Sequence, residues 1–538
     1  MGQVAFVSHQ WVGRQHPDPE FSQLSVLQNV LRAWITKPAY LSPDLLTAAI
    51  LPFAKGLSST QLFSMPLYLW YDFFSCPQAS DSGEALAKAI DSIPAYVARS
   101  RFFFVLFPIV PNSEERKVLS PSTWAERGWC RFERAMRDLS LNSSYIVIKS
   151  EFCVEAVGCR QTFFGRGPPG EGLYTVPADR RKLALVLSRT LRRTVMLSLQ
   201  SLDLVRYRIF LNSQTIFLRG FPAEPVGDIV PGFEPVSGAD AATNLVANYL
   251  YQNGFSTVRD VDAAGCSPLC YAAMNGDPVL IDALLAQRAD PNDFVRKINS
   301  KVGFPMRMSV VSMCASLGHN DAMCRLLAAR ANVEGVFPAV SMAAFSDNVK
   351  GVHILCQCSS PDIRNVFGMS ALAHACAAGS VAATRQLLLH ATPGMLTGTL
   401  VAAAFATGGS AELVELLLEA RADINEQCVV PTKLLRTIIF LHGARYQLGK
   451  RTPTTMQAYH VVRSTPLMVA LLTGQHEVAA ALIAAGARMD LQNSRNRTVT
   501  DLAAELPLPH FLREAIEGKK DACSEVAGLA SMNGDLEM

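Results

Sequence analysis

The side chains best placed to do chemistry follow two short apolar segments, residues 3–8 and 66–72. Both segments have the composition of buried β-strands, and ligands of parallel-sheet folds bind just beyond the carboxyl ends of the strands. Polar and aromatic residues at these ends therefore predict a binding edge. His9 by itself is more often structural than catalytic in such a position. The residues at the two ends are Ser8, His9, Trp11, Asp72, Phe73, Ser75 and Gln78.

Motifs of metal, phosphate and nucleophile chemistry are otherwise missing from the sequence. The 13 cysteines form no repeated C-x-x-C, and the closest pairs have no histidine or second cysteine pair at zinc spacing. We therefore expect reduced thiols and a cytoplasmic location. The glycine-rich loop at 165–172 lacks the K-[ST] of a P-loop, and residues 443–450 have the wrong spacing. No nucleophile elbow indicates a hydrolase.

The first half of the chain alternates between strand and helix patterns. Compact apolar runs predict strands, and amphipathic periodicity predicts the helices between them. This alternation favours a parallel sheet with helices on both faces. The predicted strands are residues 3–8, 66–72, 101–107 and 144–150, and the predicted helices are residues 22–35, 84–100 and 123–141.

Four motifs mark these elements: F-V-S-H-Q-W (6–11), L-W-Y-D-F-F-S (69–75), S-R-F-F-F-V-L (100–106) and W-C-R-F-E (129–133). In their order they resemble a Toll/interleukin-1 receptor (TIR) type domain, and the last motif matches the W-C-x-x-E of plant-type members. The resemblance implies an α/β, flavodoxin-like parallel sheet in a domain at residues 1–150. A helix-rich insertion at 37–65 departs from the family pattern.

In enzymatic TIR domains the glutamate of W-C-x-x-E supports cleavage of the nicotinamide-ribose bond of NAD, and the resemblance carries this role to Glu133. A carboxylate near an oxocarbenium-like transition state favours it electrostatically. The resemblance further implies an NAD site made of Ser8, His9, Trp11, Phe73, Phe74 and Trp129. Many TIR-type domains are instead adaptors without activity, in which Glu133 would pair with Arg99, Arg127 or Arg137. Both alternatives remain open.

The second half of the chain contains an internal repeat whose period approaches about 33 residues. NGDPVLIDALLAQRADPN (275–292) recurs as GGSAELVELLLEARADIN (408–425), and more loosely as TGQHEVAAALIAAGARMD (473–490). Each copy has a glycine turn, a helix ending in paired aliphatic residues, and a second turn. The glycine or its equivalent recurs at Gly276, Gly318, Asp347, Gly379, Gly409 and Gly474.

These repeats, together with G-C-S-P-L-C-Y-A-A (265–273) and S-T-P-L-M-V-A (464–470), resemble the ankyrin family over about half of the chain. The resemblance implies an all-α solenoid at residues 244–517, in which neighbouring units stack, and a surface that binds another protein. Cys270, Ala373 and Met468 replace the histidine of the family's T-P-L-H motif.

Two intervals between the repeat glycines are too long for one unit, which predicts insertions near residues 294–311 and 427–463. Both segments are basic and contain no acidic residue, so we expect them to present positive surfaces to an acidic partner. The second interval can also be interpreted as a degenerate repeat, because residues 433–446 have the pattern of one helix. The number of repeats is therefore six or seven. The predicted partner-binding residues are Lys433, Arg436, Arg445, Lys450 and Arg451.

The remaining segments connect the two halves. Residues 179–199, within a basic extension at 151–219, predict an amphipathic helix with leucines that would pack on the sheet. Four prolines make residues 220–243 an interdomain linker. We expect residues 518–538 to be a disordered tail. The basic face of the helix consists of Arg181, Lys182, Arg189, Arg192 and Arg193.

The composition limits the function. A net charge of +3 is too small to indicate nucleic-acid binding, and no segment is long and apolar enough to cross a membrane. Our first hypothesis is an interaction scaffold or signalling protein that needs no cofactor, with ankyrin repeats binding a partner and the TIR-like domain self-assembling. The second is an NAD glycohydrolase, with NAD as substrate, regulated by the ankyrin-bound partner.

Overall fold

Five strands near the amino terminus form one sheet: β1 (Gln3–His9), β2 (Leu67–Trp70), β3 (Phe102–Leu106), β4 (Tyr145–Ile148) and β5 (Val154–Val157). Their order is β2-β1-β3-β4-β5, and every neighbouring pair is parallel except β4 with β5. The almost complete burial of β1 and β3 explains their continuous apolar runs. The computed structural model describes residues 2–13, 16–44, 47, 55–77, 83–112, 117–141, 145–158, 167–299, 301–405 and 408–535.

Helices and short strands surround this sheet. Leu27, Val30 and Trp34 of the first helix pack in one apolar core with Val7 of β1 and Phe104 of β3. The helices described in this part are Ser22–Thr36, Asp72–Ser75, Gly83–Asp91, Ile93–Arg99, Pro121–Glu126 and Gly128–Leu139. Two short antiparallel pairs join Tyr40–Leu41 to Leu57–Ser58 and Val110–Asn112 to Lys117–Leu119.

Several elements are shorter than the sequence pattern predicted. The helix expected at 84–100 is interrupted at Ser92, because Pro94 has no N–H to continue the helical ladder. The helix expected at 123–141 is divided at Arg127, whose backbone is extended. Strand β2 ends before Asp72, which begins a helical turn and accepts the N–H of Phe73 at 2.6 Å. The antiparallel β5 was not predicted, and it carries the sheet past residue 150.

The contacts divide the chain into two compact units, and these cross the predicted domain boundaries. One contains Met1–Glu126, Ser144–Gly158 and Val366–Met538, and the other contains Arg127–Ser143 and Cys159–Asn365. Helix Gly128–Leu139 belongs to the second unit because it packs on helix Pro177–Gln200. The last repeats belong to the first unit, where Lys149 Nζ lies 3.5 Å from the Thr473 carbonyl oxygen.

Among the described residues, four α-helices lie between the sheet and the first repeat: Pro177–Gln200, Leu204–Asn212, Gln214–Leu218 and Ala241–Asn253. The leucine side of the first, expected to pack on the sheet, packs within its own unit on Leu204–Asn212 and Gly128–Leu139. The proline-rich segment between the third and the fourth of these helices has no regular structure but is held in place. Gln214 exchanges two hydrogen bonds with the Val226 backbone at 2.8 and 2.9 Å, and Gln252 does the same with Val230.

The repeats form helix pairs with the end signals that the sequence contains. Ser370 Oγ accepts the N–H of Ala373 at 3.2 Å, and Gly379 (φ 74) ends the same helix in the left-handed conformation. Gly409 has a different role, because a Cβ there would lie 2.3 Å from the Ala403 carbonyl oxygen. The helices are Pro268–Asn275, Pro278–Ala286, Val310–Leu317, Asn320–Ala328, Ala339–Phe345, Val349–Cys358, Ala371–Ala378, Val381–Leu388, Pro393–Leu396, Thr399–Phe405, Ala411–Glu419, Pro466–Thr473, His476–Ala484, Val499–Glu505 and His510–Ile516.

The second insertion lies outside the stack of repeats. Its neighbours in sequence, Thr399–Phe405 and Ala411–Glu419, pack directly on Pro466–Thr473 and His476–Ala484. The segment between them therefore adds no unit to the stack, and the alternative of a degenerate repeat is wrong. The insertion forms a hairpin of helices Lys433–Gln447 and Pro453–His460.

The first insertion is a loop in which the Val295 N–H donates to the Met308 carbonyl at 3.0 Å. Its charge is opposed by acidic residues from outside the insertion. Arg296 lies 2.8 Å from Asp293, and Lys301 lies 2.7 Å from Asp203. Two of the four cations of this insertion are therefore paired with acidic residues, which reduces the positive surface that the sequence predicted.

The described part of the tail is mainly helical, whereas the sequence analysis expected residues 518–538 to be disordered. Helix Asp521–Asp535 packs on helix His476–Ala484 and on the short strand Lys117–Leu119. Cys523 and the apolar residues that follow it at helical spacing are buried, which gives the segment a reason to fold.

One partly buried histidine of the repeats makes stability depend on pH. Burial lowers the pKa of His319 from 6.5 to about 4, and its Nε2 lies 3.0 Å from the Met274 carbonyl oxygen. Because the folded state binds fewer protons than the unfolded state, the contribution of neutral His319 to the free energy of unfolding is complete above about pH 6.5. It is lost as the pH falls through about 4, and it amounts to about 3 kcal/mol.

We therefore expect His319→Gln to flatten the pH dependence of the free energy of unfolding between about pH 6.5 and pH 4. Urea unfolding at a series of pH values measures this slope. The matched control is His353→Gln, since His353 is exposed. An equal slope for His319→Gln and the wild-type protein would contradict the prediction.

Candidate functional site

The side chains at the carboxyl ends of β1 and β2 converge on Asp72, as expected for neighbouring parallel strands. One carboxylate oxygen lies 2.8 Å from His9 Nε2, and the other accepts the indole N–H of Trp11 at 2.8 Å. The backbone N–H of Phe73 is a third donor, at 2.6 Å. Asp72 is therefore a fixed acceptor that orients these groups.

The electrostatics of this cluster favour a stable carboxylate. Burial alone would raise the pKa of Asp72, but attraction to His9 and the hydrogen bonds from His9, Trp11 and Phe73 outweigh it and lower the pKa. The Tyr71 ring stacks on His9 with a centroid distance of 4.0 Å, and its hydroxyl lies 3.2 Å from Nδ1. Burial and the charge of Asp72 raise the pKa of Tyr71, so its phenol is neutral at pH 7.

Aromatic rings form the outer part of the same edge. The ring centroid of Phe73 lies 4.5 Å from that of His16 and 6.2 Å from that of Trp11. The Phe74 ring is exposed, and its centroid lies 5.6 Å from that of Phe73. This arrangement offers a surface on which a planar group could stack. The sequence pattern found Phe73 and Phe74 but missed Tyr71 and His16, although Tyr71 lies within the predicted strand 66–72.

Ser8 does not face this surface. It is fully buried, and its hydroxyl accepts the indole N–H of Trp124 at 3.2 Å. Ser8 therefore ties β1 to helix Pro121–Glu126. Of the other residues at the predicted edge, Ser75 is exposed, and Gln78 lies outside the described residues.

Trp129 and Glu133 lie on helix Gly128–Leu139, in the other compact unit. Both are half-buried, one turn apart, and the Trp129 indole donates to Asp179 at 3.0 Å. The residues that the TIR resemblance assigned to one NAD site are thus divided between two units. Gly128 fits under the Tyr174 ring, where a Cβ would lie 2.2 Å from a ring carbon, so this helix is closely packed in its own unit.

The insertion helix Lys433–Gln447 is unusually exposed for a folded helix. Of its residues only Gly443 is buried, and the Tyr446 ring stacks on Tyr459 of the second hairpin helix at 4.9 Å. The other side carries large apolar side chains into solvent. The exposed apolar residues of the insertion are Val429, Leu434, Ile438, Phe440, Leu441 and Leu448.

The five predicted partner-binding cations lie at the two ends of this helix. Lys433 and Arg436 are in its first turns, and Arg445, Lys450 and Arg451 are at or beyond its last turn. All are exposed or half-exposed. Among the described residues, none of them forms an ion pair with an acidic side chain.

Two further features are missing from the part of the chain that the structure describes. No group of three or more His, Cys, Asp or Glu residues is arranged to hold a metal ion. No described helix is long and apolar enough to cross a membrane.

Comparisons with known proteins agree with the helix pairs. The family model described as "Ankyrin repeats (3 copies)" matches residues 340–428, and the single ankyrin-repeat model matches residues 264–294. The chain therefore contains ankyrin repeats, and these indicate a role in protein–protein interaction. No curated protein matches the chain.

Two solved structures are similar to part of this chain. The ankyrin repeat domain of human ASB11 is 16% identical, with a TM-score of 0.29, and the match covers 52% of this chain and 95% of that chain. The ankyrin repeat domain of Bcl-3, described as a unique member of the IkappaB protein family, is 15% identical, with a TM-score of 0.27. That match covers 53% of this chain and 100% of the other.

Proposed function

We propose that this ankyrin-repeat protein is an interaction scaffold whose partner protein docks on the insertion helix Lys433–Gln447. The observation that carries the proposal is the exposed apolar stripe of this helix. Leu434, Ile438 and Leu441 are spaced i, i+4 and i+7, which places them on one face. Leu448 extends the stripe beyond the last turn. Contiguous exposed apolar surface of this kind marks interaction sites in soluble proteins.

The charges at both ends of the stripe define the partner's chemistry. The cations of the insertion have no acidic neighbour within it, so an apolar groove or helix with an acidic rim would be complementary. We therefore expect an acidic partner segment with apolar residues at helical spacing. The self-assembly expected of the TIR-like domain remains a separate prediction, based on the resemblance alone.

Selection of displayed random peptides on the full chain tests this proposal. We expect acidic, amphipathic peptides to be enriched, and Leu441→Glu to weaken their binding by about tenfold or more, because it places a charge in the centre of the stripe. Charge reversal of Lys450 and Arg451 is expected to slow association and to reduce its dependence on salt. Fluorescence anisotropy with a labelled selected peptide measures both effects.

The matched control is Leu389→Glu, which makes the same change at an exposed leucine of another segment. Binding should be unaffected by this change. Selected peptides that bind Leu441→Glu and the charge-reversed variant as tightly as the wild-type protein would show that the insertion is not the docking surface.

A further inference from the structure

The helix Pro177–Gln200 presents a continuous cationic face. It is 24 residues long. The five cations of this face are exposed, and none of them makes a hydrogen bond or ion pair with any described residue. No acidic residue lies between Arg180 and Gln200. The cations are Arg181, Lys182, Arg189, Arg192 and Arg193.

Large apolar side chains lie within this cationic face rather than beside it. At 100° per residue, Leu185 and Met196 fall in the middle of the arc that begins at Arg181 and ends at Arg193. Both are exposed, and Leu197 is exposed at the rim of the arc. Exposed apolar residues among unpaired cations are not accounted for by packing within this chain.

The opposite face holds the helix rigidly in place. Leu187 and Leu191 are completely buried. The first turn is fixed by the bond from Trp129 to Asp179 and by the Arg180 guanidinium, which donates to the Gly220 carbonyl at 2.7 Å. At 1.5 Å per residue, the cations therefore form a fixed strip of roughly 18 Å.

We propose that this cationic face binds the surface of an anionic lipid bilayer. The cations lie along one side of a single helix, so they can contact a planar array of phosphates, which guanidinium groups bind well. Leu185 and Met196 would enter below the headgroups while the cations stay at their level. A single-stranded nucleic acid would need stacking side chains, and this face has no aromatic residue.

Flotation of the full chain with vesicles tests the proposal. One set of vesicles is phosphatidylcholine alone, and the other contains one third phosphatidylserine. We expect binding only to the anionic vesicles, weakening as salt rises. Neutralising Arg189, Arg192 and Arg193 with glutamine should lower the partition coefficient about a hundredfold, at about fivefold per charge. The variant Leu185→Ser with Met196→Ser should lower it about tenfold without changing the salt dependence.

The matched control neutralises three exposed cations elsewhere, Lys37, Arg259 and Arg330, so that the net charge changes equally. This control should bind vesicles nearly as well as the wild-type protein. Equal loss in both triple variants would mean that net charge alone drives binding and would overturn the proposal. A second result would also overturn the proposal. In it, the wild-type chain does not bind vesicles but binds a single-stranded oligonucleotide or polyglutamate through these arginines. Circular dichroism shows whether each variant is folded.

Discussion

Replacing Arg208 with alanine is expected to lower the free energy of unfolding of its compact unit by about 3 to 5 kcal/mol, because it leaves a buried charge without its partner. Arg208 and Asp262 form an ion pair at 3.1 Å, and their side chains are only 7% and 2% exposed. The Asp262 carboxylate would then be buried without its ion-pair partner. It would still accept the hydrogen bonds that position the start of the first repeat.

The geometry explains why the effect is large. The guanidinium donates to the carbonyls of Asn253 at 2.7 Å and Gly254 at 3.1 Å, at the carboxyl end of helix Ala241–Asn253. It also lies 4.2 Å from the centre of the Phe255 ring. One side chain therefore joins helix Leu204–Asn212 to the next helix and to the first repeat. Lysine keeps the charge but lacks the planar fork of donors, so Arg208→Lys should also be destabilising.

Hydrogen exchange measured by mass spectrometry, with urea unfolding of the full chain, checks this prediction. Protection should fall in Leu204–Asn212 and Ala241–Asn253. The matched control is Arg385→Ala, which breaks the more exposed pair of Arg385 with Glu412 at 2.9 Å and should cost about 1 kcal/mol or less. A loss for Arg208→Ala no larger than that of the control would contradict the prediction.

Lys149→Met is expected to have a similarly large effect in the other compact unit, about 3 to 5 kcal/mol. Lys149 Nζ lies 2.9 Å from Glu155, and the two side chains are 5% and 10% exposed. The same Nζ contacts the Thr473 carbonyl of the last repeats. Removal of the ammonium leaves the buried Glu155 side chain without its ion-pair partner. The double variant Lys149→Met with Glu155→Met should recover much of the loss, because no charge then remains unpaired.

The pH dependence distinguishes this explanation from simple loss of packing. Burial raises the pKa of nearby Asp44 to about 6, and Lys149 opposes the rise. Without Lys149 this pKa should rise further. A carboxyl group with a raised folded-state pKa loses its contribution to stability as the pH rises through that pKa. Lys149→Met should therefore be less destabilising at about pH 5 than at about pH 8.

Urea unfolding at both pH values measures the difference. The control is Lys88→Met, because the pair of Lys88 with Glu84 is 75% and 84% exposed and should contribute about 0.5 kcal/mol or less. An equal loss for Lys149→Met at both pH values would point to packing rather than charge.

The sequence predicted the existence of elements better than their limits. Apolar runs identified four of the five sheet strands, since a buried strand needs apolar residues whatever surrounds it. The pattern missed β5 because Val154–Val157 is short and half-buried. It joined the helices on either side of Ser92 because periodicity outweighed the signal of Pro94. In the repeats, the Ser, Thr and Gly residues at the helix ends act through local backbone contacts, so they could be recognised in the sequence.

For the candidate sites, too, the sequence predicted some features and only the structure showed others. The convergence of His9, Trp11 and Asp72 followed from strand order, because parallel neighbours end at one edge of a sheet. The position of Glu133 did not follow, because packing on helix Pro177–Gln200 assigns its helix to the other compact unit. Likewise, local composition showed both insertions to be basic and free of acidic residues. Only the structure showed that Asp293 and Asp203 neutralise cations of the first.

The sequence by itself determined the ankyrin repeats, the strand and helix alternation of the first half, and the basic faces, because these depend on periodicity and on residues close in the chain. The tertiary structure decided which charges remain unpaired, which strand ends meet, and that the last 15-residue helix folds onto the repeats. These features depend on burial and on contacts between residues far apart in sequence. No local pattern encodes such contacts, because the free energy of a charge or apolar side chain is set by what surrounds it.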